Sequence, residues 1–250
     1  MTNQPIAIVP ARLASQRLAR KMLADLAGAP LIVRVCENLS SIACLARVVV
    51  ATDHADIASA VLRAGFEAVF TDPELPSGTD RVAAAASALM LEPNQAIINV
   101  QGDEPFIAEA TIEALSTQLN QSPEAIVTPI VHVAHTEDLA NPNVVKVALG
   151  AQHRALYFSR SAIPHQREDG NSSSWYFRHL GVYAYRASTL SRIAAFKPHP
   201  LEKLEKLEQL RWLAHGESML AVEVDSAHRG IDSAEDLAAA NELFRKLRRS

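Results

Sequence analysis

At 250 residues the chain fits one large domain, and its composition (48% hydrophobic, 21% charged) excludes a disordered polymer. A net charge of -4 gives bulk electrostatics no reason to recruit nucleic acid. No apolar run reaches the roughly 18 residues of a membrane span and no signal-peptide pattern opens the chain, so the expectation is a cytoplasmic protein with no membrane partner.

The stretch IAIVPARLASQRLARKMLADLAGAPLI organises the rest. Ile6 to Val9 is a continuous apolar run of the kind a strand buried on both faces needs, and Pro10 is expected to close it. The following loop carries Arg12, Arg17, Arg20 and Lys21 with Ser15 and Gln16, and no acid before Asp25. A cationic loop at the carboxyl end of a buried strand suits a multiply charged anion such as a triphosphate, because guanidinium forks match phosphate oxygens. A plain solvated surface loop is the other reading.

Residues 30–44 read as a helix with Leu31, Val35, Asn38 and Leu39 on neighbouring turns. RVVVATD reads as a second buried strand ending at Asp53, and DIASAVLRAGF as an amphipathic helix stopped by Gly65. Cys36 and Cys44 match no metal spacing and read as small buried hydrophobes. EAVFTD is a third strand. PELPSGTDR turns into an alanine-rich helix, with Ser77 or Thr79 available as its cap. QAIINVQGDEPF is a fourth strand running into Gly102 and Asp103, with the helix ATIEALSTQL behind it. This alternation argues a parallel, doubly wound sheet up to about residue 120.

Beyond residue 125 the rhythm changes. AIVTPIVHV, VVKVALG, ALYFSRSAIP (ending at Pro164) and HLGVYAYR read as strands joining the sheet in antiparallel fashion, the last of them half-buried. Between them, His165 to Trp175 reads as a mobile polar loop. HPLEKLEKLEQLRWLAHG reads as one helix, SMLAVEVDS as a last strand, and residues 233–250 as a closing helix with a capping box from Ser233 to Asp236. The basic end, FRKLRRS, reads as a solvated helix terminus. The whole reads as a single domain over 1–250, with one half at 1–125 and a second at 126–250.

Nine glycines include no pair at G-x-G spacing, so neither a dinucleotide fingerprint nor a Walker A loop is present in ordinary form. Asp103, just past a buried strand, suits Mg²⁺ or is a turn aspartate taking backbone amides. Asp232 is a second metal acid or an N-terminal turn residue of the closing helix. In one continuous helix over 199–216, leucines at 201, 204, 207, 210 and 213 wind round the surface. That helix would project Glu208 among Leu201, Leu204 and Trp212, either paired with Arg211 or holding a ligand. His179 taken alone is a core histidine as readily as a ligand.

The motifs PARLASQRLARK, ATDHADI, SGTDR, INVQGDEPFI, NPNVVKV, ALYFSRSAIP, RHLGVYAYR, LEKLEQLR and GIDSAEDL, in this order from residue 10 to 237, closely resemble those of the 3-deoxy-manno-octulosonate cytidylyltransferases, or CMP-Kdo synthetases. That resemblance implies an α/β nucleotidyltransferase fold, a mixed Rossmann-like sheet with helices on both faces and an antiparallel extension carrying the sugar pocket. It also implies a homodimer, Mg²⁺, and the reaction CTP + Kdo → CMP-Kdo + pyrophosphate in lipopolysaccharide assembly. Residue by residue, it implies that Arg12, Ser15, Arg17 and Lys21 grip the triphosphate, and that Ser77, Gly78 and Gln101 contact nucleotide and sugar. It implies Asp103 and Asp232 as metal carboxylates, and Arg160, His179, Tyr183, Glu208 and Gln209 as the Kdo pocket. The catalytic set so implied is Arg12, Arg17, Lys21 and Asp103.

The chain departs from the family where Arg-Leu-Pro-Gly-Lys-Pro-Leu becomes Arg17-Leu18-Ala19-Arg20-Lys21-Met22-Leu23. The loss of two prolines and a glycine predicts a less constrained free loop, and Arg20 adds a cation. The usual Thr-Pro after the final aspartate is Ser233-Ala234. Rival readings are the same chemistry on an 8-amino Kdo analogue or another acidic ketose, decided by the 165–175 loop, and a non-catalytic nucleotide-sugar sensor. The sensor reading calls for a lost metal acid, and both Asp103 and Asp232 are present.

Overall fold

Ile6 to Val9 lies at the heart of a parallel ladder in the computed structural model, which describes residues 4–14, 18–123, 125–133, 135–167, 175–225 and 230–247. Strand β1 (Ile6–Ala11) is buried throughout. A small hairpin of β2 (Asp25–Leu26) and β3 (Ala29–Pro30) leads into α1 (Leu31–Ser40), which seats Leu31, Val35 and Leu39 in the core. Then come β4 (Arg47–Thr52), α2 (Ala55–Arg63), β5 (Glu67–Phe70), α3 (Gly78–Ala88), β6 (Ala96–Asn99) and α4 (Glu109–Gln121). The second half adds β7 (Ile126–His132), a short α5 (Thr136–Ala140), β8 (Lys146–Leu149), β9 (Ala155–Ser159), β10 (Phe177–His179) and β11 (Tyr183–Arg186). It ends with α6 (Ala187–Ala194), α7 (Pro200–Glu205), α8 (Gln209–Ala214), β12 (Met219–Glu223) and α9 (Ala234–Leu247).

One ten-stranded sheet runs through both halves in the order β5-β4-β1-β6-β11-β7-β10-β8-β9, with β12 pairing β7. β5, β4, β1 and β6 are mutually parallel. β11, β10, β8 and β9 extend the sheet by antiparallel pairs, whereas β12 joins β7 in parallel. Two apolar clusters cover its two faces, as a mixed sheet with helices on both sides requires.

Four elements differ markedly from the sequence reading, and a fifth, the strand expected to end at Pro164, stops at Ser159. Pro10 does not close β1, which continues in register with β4 to Ala11↔Thr52. Pairing with β6 ends at Ile8↔Asn99, and Ile8 O accepts from Val100 N, so Ile8 bonds toward β6. Pro10, two residues on, turns its missing N–H to that same side, where nothing needs a donor. The helix expected at 30–44 stops at Ser40. HLGVYAYR is two strands, parted by an irregular stretch at Leu180–Val182 where Val182 N bonds to Leu180 O. The first of them pairs with β7 and β8, and the second with β6 and β7. Tyr183, Ala184 and Tyr185 are all buried, because β11 is central and covered on both faces.

The fourth difference is the largest. The single helix expected over 199–216 breaks at Lys206, which takes a left-handed conformation (φ 54°). Arg160 holds the break open: its Nε donates to Glu205 O at 2.7 Å and its Nη2 to Lys206 O at 3.4 Å. Glu205 answers by accepting from Ser159 Oγ (2.6 Å) and Arg160 N (2.9 Å). Freed helix carbonyls are thus satisfied by a strand end far away in sequence. The winding leucine surface disappears with the helix: Leu207 and Leu210 are buried, while Leu204 is 81% exposed. Of the 165–175 loop, residues 168–174 lie outside the described residues, as do Ser15, Arg17 and residues 248–250 of the basic end.

Gly102 marks the tightest approach near the site. A Cβ there would lie 2.7 Å from Met22 Sδ, 3.2 Å from Pro10 O and 3.4 Å from Ile32 Cδ1. Gly102→Ala is predicted to lower stability by about 1–3 kcal/mol, since Met22 yields but the Pro10 carbonyl is backbone. Urea unfolding of the two chains measures this, and an unchanged midpoint contradicts the packing described.

Candidate active site

The carboxyl ends of β1 and β6 open onto a crevice between the parallel and antiparallel parts of the sheet, the place where open α/β sheets receive ligands. On one side lies a small cavity of about 180 Å³ lined by Pro10, Arg12, Ser77, Gly78, Arg81 and Gln101, among others. Ser77 is the N-cap of α3, accepting from Asp80 N at 3.1 Å, so of the two caps expected from sequence it is the one used. Gly78 keeps this wall close: a Cβ there would stand 3.4 Å from Gln101 Oε1 and 3.5 Å from Pro10 Cγ. Arg81 is buried and locked by Thr71 Oγ1 and by Asp53 Oδ2 at 3.1 Å. Asp53 also accepts from Leu13 N at 3.4 Å, which ties the basic loop to β4.

On the other side is a cavity of about 580 Å³ whose lining includes Asp103, Arg178, His179, Tyr183, Gln209 and Asp232. Asp103 and Asp232 meet here because Ile231 N donates to Asp103 O at 2.9 Å. Between their carboxylates sits the ammonium of Lys21, 2.6 Å from Asp103 Oδ2 and 3.0 Å from Asp232 Oδ1. Burial pulls the Lys21 pKa down, but Asp103 and Asp232 outweigh it and the net shift is upward. Ser233 and Asp236 form the capping box read from sequence, with Asp236 N to Ser233 Oγ at 3.1 Å and Ser233 N to Asp236 Oδ2 at 2.8 Å.

Lys21 opens a single 3₁₀ turn, Lys21–Leu23, whose preceding residue Arg20 adopts a left-handed conformation (φ 53°). This is the position where the family pattern has glycine. The strained backbone costs on the order of 1 kcal/mol in a residue bearing a Cβ. The Arg20 guanidinium points away from the acids to an exposed ion pair with Asp56 of α2.

His179 is buried, and burial, reinforced by Arg178, pushes its pKa down to about 3. Thr128 Oγ1 donates to Val182 O (2.8 Å), so at 2.9 Å it accepts from His179 Nε2–H. Nδ1 is then the acceptor, facing the Gln209 amide at 3.5 Å. Tyr183 packs edge-on against Trp212 with centroids 5.0 Å apart, and burial raises its phenol pKa.

Glu208 begins α8 without continuing a helix from α7. Its carboxylate accepts from Ser77 Oγ and stands 3.5 Å from Arg211, so the pairing with Arg211 read from sequence is present. Its bond turns it to Ser77, a residue of the small cavity's wall, and with Leu204 exposed the apolar setting expected from Leu201, Leu204 and Trp212 is not formed. Burial raises its pKa to about 7.

Of the residues singled out by sequence, Arg12, Ser77, Gly78 and Gln101 share the small cavity. Asp103, Asp232, His179, Tyr183 and Gln209 share the large one. Arg160 lines neither; besides the α7–α8 carbonyls it donates to Pro142 O at 2.8 Å. Ser15 and Arg17 lie outside the described residues. Missed by the sequence reading were Arg81, Asp53, Arg178 and Glu104, although all four fall inside the quoted motifs. Glu104 lies beside Asp103, and burial, then Asp103, raises its pKa to about 8.

The donor set fits the ion that the resemblance implies. Among the described residues the acids form a pair, not a cluster of three, and Mg²⁺ takes one or two protein carboxylates with water and substrate oxygens completing its shell. The Lys21 ammonium already resting between the two carboxylates is a stand-in cation. No helix among the described residues is long and apolar enough to cross a membrane.

Residues 6–219 match the cytidylyltransferase family, and the chain belongs to that family, within it to the 3-deoxy-manno-octulosonate cytidylyltransferases. The protein of that name from Wolinella succinogenes is 40% identical over 95% of this chain and 98% of its own length. That from Neisseria meningitidis serogroup A is 42% identical over 96% and 97%. A solved CMP:2-keto-3-deoxy-manno-octonic acid synthetase complexed with CTP superposes with a TM-score of 0.89 at 34% identity, covering 98% of this chain and 99% of that one. A 4-diphosphocytidyl-2C-methyl-D-erythritol synthase shares the fold at 14% identity, with a TM-score of 0.67 over 98% of this chain and 99% of its own.

A pH dependence follows from Glu208. Its proton is held more tightly in the folded chain than at the ordinary value of 4.5, so the folded state binds more protons than the unfolded one between about pH 4.5 and 7. That contribution to stability is complete below about pH 4.5 and is lost as pH rises through about 7. Glu208→Gln removes it, so the stability of the variant relative to wild type should rise from about pH 5 to about pH 8. Chemical denaturation across that range reads the difference, and a constant offset contradicts the assignment.

Proposed function

We propose that this chain transfers CMP from CTP to the anomeric 2-hydroxyl of Kdo and releases pyrophosphate. The observation that carries the reading is the meeting of Asp103 and Asp232 on one cation, in a chain that holds a small cavity and a larger one. Gln101 lines the first and Asp103, two residues on, the second. The relatives' names and the CTP-bound neighbour supply the substrates.

Arg12 and Lys21, with Ser15 and Arg17, hold the triphosphate, and Ser77, Gly78 and Gln101 frame the nucleotide. Neutral His179, fixed by Thr128, holds the Gln209 amide in place beside Tyr183, and that wall receives the sugar. Glu208, bonded to Ser77, joins the nucleotide wall to the start of α8, which supplies Gln209. As the sugar 2-hydroxyl oxygen bonds to the α-phosphorus it gives up its proton to solvent, the α–β anhydride breaks and charge grows on the departing pyrophosphate. Fixed guanidinium and ammonium groups are most effective at that moment. Mg²⁺, held by Asp103 and Asp232, supplies neutralisation of phosphate charge when bound. The reading includes a cytoplasmic homodimer acting in lipopolysaccharide biosynthesis. It is supported by the family.

Pyrophosphate release with Kdo and each of four nucleotides tests the reaction. CTP should be used well ahead of ATP and GTP, with UTP the leading minor substrate because it shares the single ring. Equal turnover of ATP and CTP contradicts the proposal.

A further inference from the structure

Lys21 has two claims on its ammonium. The family resemblance gives it to the triphosphate, yet in the free chain it is engaged by both acids, with its side chain only 11% exposed. An ammonium carries three N–H donors, and two of them point at carboxylate oxygens here. The ammonium also removes a conflict, because Asp103 and Asp232 held together without a cation repel each other. The oxygens it takes belong to the carboxylates a divalent ion needs.

We propose that Lys21 is a tethered placeholder that occupies the cation position between Asp103 and Asp232 and keeps the divalent ion out until the triphosphate draws its ammonium away. The inference rests on the metal-pair reading above and adds to it a cause for linkage between metal and nucleotide. An intramolecular cation competes at a high effective concentration. If the ammonium leaves the acids for about one part in ten to one in a hundred of the time, apparent metal affinity falls by about ten- to a hundredfold. The acids meanwhile remain aligned, so the ion enters a preformed pair once the nucleotide binds.

Mn²⁺ titration of the full-length protein, read by calorimetry or by the loss of free-ion paramagnetic signal, tests this without turnover. Wild type, Lys21→Met and Lys21→Gln are compared with and without α,β-methylene CTP, whose scissile bridge cannot be cleaved. Without nucleotide, both variants should bind Mn²⁺ at least about tenfold more tightly than wild type, and Asp103→Asn in either background should abolish the gain. In wild type the analogue should raise Mn²⁺ affinity by a larger factor than in the variants. Equal nucleotide-free affinities for wild type and variants overturn the placeholder, as does a gain that survives Asp103→Asn. Absence of Mn²⁺ binding to wild type even with the analogue instead removes the metal-pair reading itself, and the placeholder with it.

A second readout needs no variant. The Lys21 ammonium should give a protected ¹⁵Nζ resonance in the free protein, unmoved by millimolar Mg²⁺ alone and shifted when the analogue is added. A resonance displaced by Mg²⁺ alone overturns the proposal.

Discussion

One ammonium between two carboxylates ties together three parts of the chain that are remote in sequence. Lys21 comes from the turn behind β1, Asp103 from the loop behind β6, and Asp232 from the start of α9. The parallel sheet sets β1 beside β6, and the Ile231–Asp103 backbone bond brings the closing segment to them. Without a cation between them the two carboxylates would repel each other. Cationic loop and acid pair are therefore one unit rather than two neighbouring features.

A second constraint shapes the sugar side. Arg160 spends its guanidinium on backbone carbonyls at the α7–α8 break, and that break sets the direction in which Glu208 and Gln209 leave the backbone. Glu208 then bonds to Ser77, the cap of α3, while Gln209 faces His179. The nucleotide wall and the sugar wall thus share two adjacent residues of one short helix start. A change at Arg160, which lines neither cavity, acts on the site through this backbone.

Much of the fold was legible from local pattern. The runs at Ile6–Val9, Arg47–Thr52 and Ala96–Asn99 announce buried strands because a strand covered on both faces has no polar side to show. Gly65 and Ser77 mark helix ends through backbone freedom and capping chemistry that act within a few residues. What failed depended on distant partners. No period in residues 199–216 reveals that Arg160 will take the carbonyls of Glu205 and Lys206, and without that knowledge one helix is the better local answer. Pro10 looked like a strand end because the side on which pairing stops is a property of β6, not of β1. In the site, motif resemblance named most residues, but the partnership of Lys21 with Asp103 and Asp232 comes only from the sheet order. Arg81 and Asp53 were inside quoted motifs and were passed over because their role is to hold the wall rather than to point at a ligand.

The central claim is that Lys21 and Asp103 act as one unit in the free protein. A double-mutant cycle on unfolding free energy measures it directly, with Lys21→Met, Asp103→Asn and the double variant unfolded in urea without metal or nucleotide. With side chains only 11% and 23% exposed, the pair should show a coupling of about 1–3 kcal/mol, the double variant being less destabilised than the two singles combined. Additivity within about 0.3–0.5 kcal/mol would contradict the account.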